Sequence, residues 1–444
     1  MNPSFHIIDF VIVGIYAILL VGVGLWVSRT KKGHTKTAED YFLASKALPW
    51  WAIGSSLIAA NISAEQFIGM SGSGFAGGLA IASYEFMAAL TLIIVGKFFL
   101  PIFIKQGIYT IPEFVEKRFS TNLKTILAVF WIALFVFVNL TSVLFLGGKA
   151  IDTIVGVGDG SMIVPAIIAL AIFAAAYSLY GGLSAVAWTD VIQVALLVIG
   201  GIITTLIALH YVTPDGGILN GISHIADAAS DKFDMVLSRD NKEFNNLPGI
   251  YVLIGGLWVA NLYYWGFNQY IIQRTLAAKS LTEAQRGIAF AAFLKMLIPF
   301  IVVIPGIVAW VMYSEDLYGA RSAFEIAGST ALNNDNAYPW LISTFIPVGV
   351  KGLVLAALAA AIVSSLASML NSTSTIFTMD IYKPYINREA SQTKLVNVGR
   401  LTAGIALIIA VCLAPLLGGI DQMFQYIQEY TGLVSPGILA VFLM

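Results

Sequence analysis

Charge is scarce in this sequence of 444 residues: Asp, Glu, Lys and Arg make up 11% of it against 58% hydrophobic residues, where a soluble domain carries about 25% charged residues. With a mean hydropathy of +0.85, that shortage excludes a water-soluble globule. Cysteine is reduced to Cys412, inside an apolar run, which excludes disulfides and thiolate metal sites. His6, His34, His210 and His224 lie far apart near segment ends and in loops. Metal or triad chemistry therefore has no cluster to work with, and the chain is not expected to be an enzyme. The formal net charge is -1 and no block of Lys or Arg occurs. Nucleic acids and anionic lipids both need clustered positive charge, so neither is an expected partner. No G-x-x-x-x-G-K-[ST] loop is present to draw work from ATP. Gly72-Ser-Gly-Phe-Ala-Gly77 fits the dinucleotide pattern, but no strand precedes it, so it is expected to be an outward-facing turn and no nucleotide is expected to bind.

What the sequence does have is length in apolar runs. A spanning helix needs about 20 apolar residues, and such runs predict eleven spans, at about 7–28, 50–73, 78–104, 121–148, 161–180, 184–210, 249–273, 284–313, 339–380, 397–417 and 423–444. The first ten residues lack a positive n-region and a small-residue cleavage site, so the first run is expected to stay as a helix. The last run reaches Met444 without a polar flank, from which further C-terminal spans in a longer chain are expected. The stretches around 211–248 and 314–338 are rich in Asp, Asn and Ser and are expected to be surface loops on the outer face.

Lys and Arg stay on the cytoplasmic side of short loops. Sixteen of them, among them Arg29, Lys36, Lys117, Arg274 and Arg400, fall in one alternate set of connections and five in the other. That bias puts the first connection inside and the N-terminus outside, in a cell (inner) membrane. Eleven spans divide as one leading helix and two sets of five, and an odd repeat inverts its second copy. The expected fold is therefore all-α, with an accessory helix at 7–28, a first five-helix repeat over 50–210 and a second, inverted repeat over 249–444. Such repeats bind substrate at the midplane between broken first helices.

The second span contains Ala59-Ala-Asn61-Ile62-Ser-Ala-Glu-Gln66-Phe-Ile-Gly-Met70, and the seventh contains Asn261-Leu-Tyr-Tyr264-Trp-Gly-Phe-Asn-Gln269. Each opens its half, and polar clusters in mid-hydrocarbon need a partner or a water-filled cavity, so both mark breaks; polar residues also serve simply to bind helices together. Glu85, after Tyr84, and Lys295 are ionisable residues in long apolar stretches. They could lock two helices as a pair, or, with Asn and Gln amides, bind a polyol whose hydroxyls both donate and accept. Gln428 adds an amide with Phe424 one turn before it. Ser364 and Ser365 lie in a small-residue helix. Their hydroxyls and the carbonyls freed near Ala59 and Ile62 could cage sodium, a hard cation, or the small residues could serve close packing alone.

Over nearly its whole length the chain resembles the sodium:solute symporter family, in its sodium/glucose cotransporter branch. The resemblance is carried by Ala59–Gly74, Ile111-Pro-Glu-Phe-Val-Glu-Lys-Arg118, Tyr180-Gly-Gly-Leu-Ser-Ala-Val186 with Trp188-Thr-Asp190, Gly255–Arg274 and Ala359–Ser372. It implies a LeuT-like five-plus-five inverted repeat with one extra N-terminal helix, and alternating access around a central sugar. By position, the sugar would be bound by Gln66, Glu85, Asn261, Lys295 and Gln428 with Asn61 nearby. Tyr264 would be an inner gate, and Met70, Tyr84 and Phe424 an outer lid. The ion would be held by the carbonyls of Ala59, Ile62 and Ala361 and the hydroxyls of Ser364 and Ser365, with Asp190 on its path to the cytoplasm. Ala88 stands where a galactose-transporting member is expected to carry serine, which leaves the preferred epimer open. The expected function is sodium-coupled import of galactose or glucose. The alternatives are another small polar solute (an inositol, sialic acid or an amino acid) or a sugar sensor or channel without turnover.

Overall fold

The computed structural model describes residues 5–29, 33–63, 65–155, 160–213, 215–247, 249–326, 332–418 and 423–444, with the side chains of Glu65 and 423–429 outside that description. Helices account for nearly all regular structure, and nine stretches among the described residues are long and apolar enough to cross a membrane. The helices that position the site are α1 (Ile7–Val27), α2 (Trp50–Asn61), α3 (65–77), α4 (Ser83–Ile94, prolonged to Gln106), α5 (121–155), α6 (Ile163–Gly181) and α7 (Leu183–Tyr211). They are followed by α8 (249–267), α9 (Gln269–Leu276), α10 (Leu281–Ser314), α11 (Ala337–Phe345), α12 (Val350–Ile376), α13 (Gln392–Leu413) and α14 (Met423–Leu443).

The second span breaks where its polar cluster lies. Ile62 leaves helical geometry with ψ 112°, and the Ser63 amide, which a continuing helix would give to Ala59, goes instead to Gln66 Oε1 at 2.9 Å. The Ser63 carbonyl in turn accepts from the Gln66 amide at 3.2 Å. Ser63-x-x-Gln66 is thus the glutamine arm of a capping box that starts α3 inside the bundle. The seventh span breaks at Asn268, extended at φ −81°, ψ 125° between α8 and α9, and its carbonyl accepts from Ile272 at 3.0 Å to begin α9.

Helix α10 lies against both halves of the broken second span. A Cβ on Gly54 would stand 2.7 Å from the Gly287 carbonyl, and one on Gly306 would stand 2.1 Å from the Ser71 carbonyl, so glycine at these crossings sets how closely the helices approach. Pro299 inside α10 has no amide for the Lys295 carbonyl one turn back. Helix α12 is buried on all sides along most of its length, and Asp9 of α1 seals its start: one carboxylate oxygen accepts from the amides of Gly349 at 2.7 Å and Gly352 at 2.8 Å. A buried anion there meets the positive end of the helix dipole.

Three expectations need correction. The run expected as one span over 339–380 is two helices, α11 and α12, because Pro347 and Gly349, at φ 87°, turn the chain between them. Gly72, Gly74 and Gly77 are helical, and the turn follows them at Gly78, φ 78°. The segment expected as a loop over 211–248 contains a helix, Ile218–Ala228.

Candidate functional site

A cavity opens at the break between α2 and α3 and is bounded by α4, α8 and α10. Asn61, Gln66, Met70, Tyr84, Glu85, Asn261, Tyr264, Lys295 and Ser365 all line it, so most side chains expected at the site from sequence come together. Ala88 lines it too. Phe424 and Gln428 lie on α14, with side chains outside the described residues.

Each polar group in the cavity has a definite chemistry. Glu85 and Lys295, both fully buried, form an ion pair between α4 and α10 in which the ammonium donates to the carboxylate. The ammonium also lies 5.2 Å from the centroid of the Trp265 ring. Gln66 spends its carbonyl oxygen on the Ser63 cap, which leaves its NH2 group to present to a ligand. Asn61 donates through Nδ2 to the Tyr264 hydroxyl at 2.9 Å, while its Oδ1 is buried without a hydrogen-bond partner among the described residues, as is Asn139 Oδ1 on the same wall. Buried acceptors are normally satisfied, and ligand hydroxyls would satisfy these. Asn261 points its NH2 group back to the Leu257 carbonyl at 2.9 Å, which holds α8 together near its break.

Behind the break, Ser365 donates to the Ala60 carbonyl at 3.0 Å and Ser364 donates to Asp190 at 2.5 Å. Both hydroxyl protons are directed away, so the oxygen lone pairs are what remains for a hard cation. The carbonyls of Ala59 and Ile62 sit at the frayed end of α2, where no further turn takes them up, and Ala361 lies one turn before the serines, fully buried.

Asp190 is completely buried on α7, and its second oxygen accepts from Ser56. The Arg274 guanidinium stands 3.8 Å from it. Arg274 Nε donates to Ser56 Oγ at 2.7 Å and to the Ser56 carbonyl at 3.0 Å, and its terminal nitrogens donate to the Tyr270 carbonyl and to Ser368. The Tyr270 hydroxyl bonds to that of Tyr264. Polar contacts therefore run from Asn61 in the cavity to the Tyr264 and Tyr270 hydroxyls, and separately from the Tyr270 backbone carbonyl through Arg274 to Ser56, Asp190 and Ser364.

Sequence reasoning singled out neither Ser56, Tyr270 nor Arg274. Arg274 reads as one more positive residue in a short connection, and only the fold shows it folded inward, with no exposure. The Ser-x-x-Gln signature at 63–66 was a legible signal for the position of the first break.

On the opposite side of the cavity from Arg274, Lys232 donates to the Ala76 carbonyl at the end of α3 and lies 4.1 Å from the centroid of Trp310. Its own carbonyl occupies the place a Cβ on Gly78 would need, 2.2 Å away. A polar pocket lined by Glu243, Asn246, Asn334 and Asp335 lies over the same glycine-bearing face.

The model of the sodium:solute symporter family matches residues 41–444. A sodium/glucose cotransporter of Vibrio parahaemolyticus is 66% identical over 440 residues, covering 98% of this chain and 80% of that protein. Sodium/glucose cotransporter 4 of Mus musculus is 32% identical across the whole chain, which spans 66% of it, and the sodium/myo-inositol cotransporter of Canis lupus familiaris is 33% identical, spanned to 64%. Among solved structures, a substrate-bound, outward-open sodium-coupled sialic acid symporter with a novel sodium site superposes with a TM-score of 0.78 at 26% identity, over 94% of this chain and 83% of that one. The architecture is thus the LeuT-like five-plus-five inverted repeat with one additional N-terminal helix, in a multi-pass membrane protein.

Proposed function

This chain belongs to the sodium:solute symporter family, and from that premise we propose that it imports a monosaccharide, galactose or glucose, coupled to sodium by alternating access. The observation that carries the reading is the pairing of two sites across one helix break. A cavity with an ion pair, amide groups and orphaned acceptors suits a polyol, and the Ser364 and Ser365 hydroxyls stand behind it, Ser365 against the end of α2, as candidate oxygens for a hard cation. In this reading Gln66, Glu85, Lys295, Asn61 and Asn261 bind the sugar with Gln428, Tyr264 closes the inner side, and Met70, Tyr84 and Phe424 cover the outer side. Sodium is held by Ala59, Ile62, Ala361, Ser364 and Ser365, and leaves past Asp190. The repeats run over 50–210 and 249–444, and the protein sits in the inner membrane with its N-terminus outside.

The energetics follow from linkage. If sodium and sugar both favour the same outward-open or occluded state, each raises the other's affinity by the same factor. Sodium carries one charge, worth about 2.3 kcal/mol per 100 mV of membrane potential beyond its concentration gradient. Sodium bridging α2 and α12 would fix the end of α2, and with it Asn61 in the cavity. No step here calls for bond chemistry on the sugar, so the chain acts as a transporter without enzymatic turnover and without a nucleotide or nucleic acid.

A cyclic polyol such as myo-inositol offers the same hydroxyl edges as a hexose, and two readings of the cavity separate by competition. Unlabelled galactose or glucose is expected to suppress uptake of the labelled hexose, while myo-inositol, sialic acid and amino acids leave it unchanged. Stronger suppression by myo-inositol than by either hexose would overturn the monosaccharide assignment.

A further inference from the structure

At the end of the bundle that holds the first connection, Lys36 and Arg400 meet at one helix terminus, and Arg29 shares a cavity wall with Lys36. Lys36 donates to the carbonyls of Tyr180 and Gly181, both at 3.2 Å, at the C-terminus of α6. Arg400 of α13 donates to the same Tyr180 carbonyl at 3.1 Å, and both cations lie over the rings of Tyr41 and Tyr180 at 5.2–5.7 Å. Arg400 Nε is buried without a partner among the described residues. Arg29, exposed two residues past the end of α1, has no side-chain hydrogen bond or ion pair among the described residues.

The nearby acid is already spent. Asp40 pairs with His34 at 2.7 Å, accepts from Ser45 at 2.6 Å and accepts from the Thr37 amide at 2.9 Å. These bonds hold its carboxyl well below the usual range. Burial and the neighbouring Arg400 charge pull Lys36 down to about 8. Positive charges at a helix C-terminus gain from the dipole, but crowding them in partly buried surroundings is unfavourable unless an anion joins them.

Beside this cluster lies an open cavity lined by Arg29, His34, Lys36, the hydroxyl-bearing Ser28, Ser45 and Ser184, and the Asp40 carboxylate, whose oxygens are taken up by His34, Ser45 and the Thr37 amide. It opens at the last turn of α1, where Leu25 and Trp26 are exposed, Trp26 by 66%. A tryptophan in that place marks headgroup depth in a bilayer. We propose that this cavity is a binding site for the phosphate of an anionic phospholipid headgroup, held by Arg29 and Lys36 with serine hydroxyls at its edge. The sequence has no basic block, so the composition argued against such a partner; the fold makes the cluster from residues near positions 29, 36 and 400. A soluble phosphate monoester or inorganic phosphate shares the chemistry, but the exposed Trp26 on the adjoining turn of α1 favours the lipid.

The test uses purified protein in detergent, titrated with phosphatidylglycerol, with phosphatidylcholine or with inorganic phosphate, and reads the thermal unfolding midpoint. The variants are Arg29→Gln, an exposed position whose loss leaves the fold intact, and Lys36→Gln. The expected result is a midpoint raised by phosphatidylglycerol above its value in phosphatidylcholine, with most of that rise lost in each variant and no rise with inorganic phosphate. An equal rise in wild type and both variants would overturn the site, and an equal rise with inorganic phosphate would overturn the assignment to a lipid.

Discussion

Ser364 gives its hydroxyl proton to Asp190 at 2.5 Å, and the next residue, Ser365, gives its own to the Ala60 carbonyl at 3.0 Å. The two neighbours on α12 thereby point to different helices, one to α7 and one to the frayed end of α2. Both leave oxygen lone pairs towards the gap between α2 and α12. A cation placed there would tie the two helices together in addition to the Ser365 hydroxyl bond to the Ala60 carbonyl.

Ser365→Ala takes away one such oxygen and the bond to Ala60. A hydrogen bond to a charged group is worth about 1.5–3 kcal/mol, so the sodium concentration for half-maximal uptake is expected to rise roughly tenfold or more. The measurement is uptake against sodium at saturating sugar, and an unchanged half-saturation value would remove Ser365 from the ion site.

Glu85 and Lys295 are one unit. Removing either charge from a buried pair costs about 3–5 kcal/mol because the other is left uncompensated, so Glu85→Gln and Lys295→Met are each expected to lower the thermal unfolding midpoint and abolish uptake. The double variant Glu85→Gln/Lys295→Met is expected to recover the midpoint without recovering uptake. Recovery of both would make the pair a helix lock with no part in sugar binding.

Arg274 lies between the cavity and the proposed ion site, bonded to the Tyr270 backbone carbonyl on one side and to Ser56 and Ser368 beside Asp190 on the other. Lysine keeps the charge but cannot reproduce the guanidinium fork. Arg274→Lys is expected to weaken the mutual effect of sodium and sugar, so that sugar affinity measured by equilibrium binding depends less steeply on sodium. Equal dependence in wild type and variant would show that coupling does not run through this contact.

The two breaks show how much of this arrangement could be read in advance. Polar residues in mid-span placed both breaks, and the Ser-x-x-Gln pattern at 63–66 carries a finer signal for the first that the polar cluster alone did not supply. Ionisable residues in apolar runs picked out Glu85 and Lys295, because such residues need a partner. Arg274 escaped, because a cation near a span end is the commonest sight in a membrane protein, and its inward turn depends on Ser56 and Asp190, which lie far away in sequence. The split of 339–380 into α11 and α12 escaped as well, since its Pro and Gly stood within an unbroken apolar run. The glycines at 72, 74 and 77 suggested a turn, whereas their small size serves close packing of α3 against α10 and the segments near Asp335 and Glu243.

Asp9→Asn tests whether α1 matters beyond filling space. The carboxylate accepts from two amides at the start of α12, and a buried anion at a helix N-terminus contributes up to about 2 kcal/mol. The unfolding midpoint is expected to fall while the sodium dependence of uptake stays unchanged; a shifted sodium dependence would place α1 in the coupling path.

Lys232→Met loosens the contact at the end of α3. With Cys412→Ser removing the native thiol and Ser73→Cys as reporter, a membrane-impermeant thiol reagent is expected to react faster in the Lys232→Met background. An unchanged rate would mean that Lys232 does not hold the end of α3 in place.

The central claim is that sodium and sugar move together, and it is tested most directly by uptake of radiolabelled galactose and glucose into proteoliposomes, with and without an inward sodium gradient and an inside-negative potential. The account predicts accumulation of one of the two sugars that requires sodium, is accelerated by the potential and is lost in Gln66→Ala and Ser365→Ala. Uptake of that sugar at the same rate without sodium or potential would contradict it.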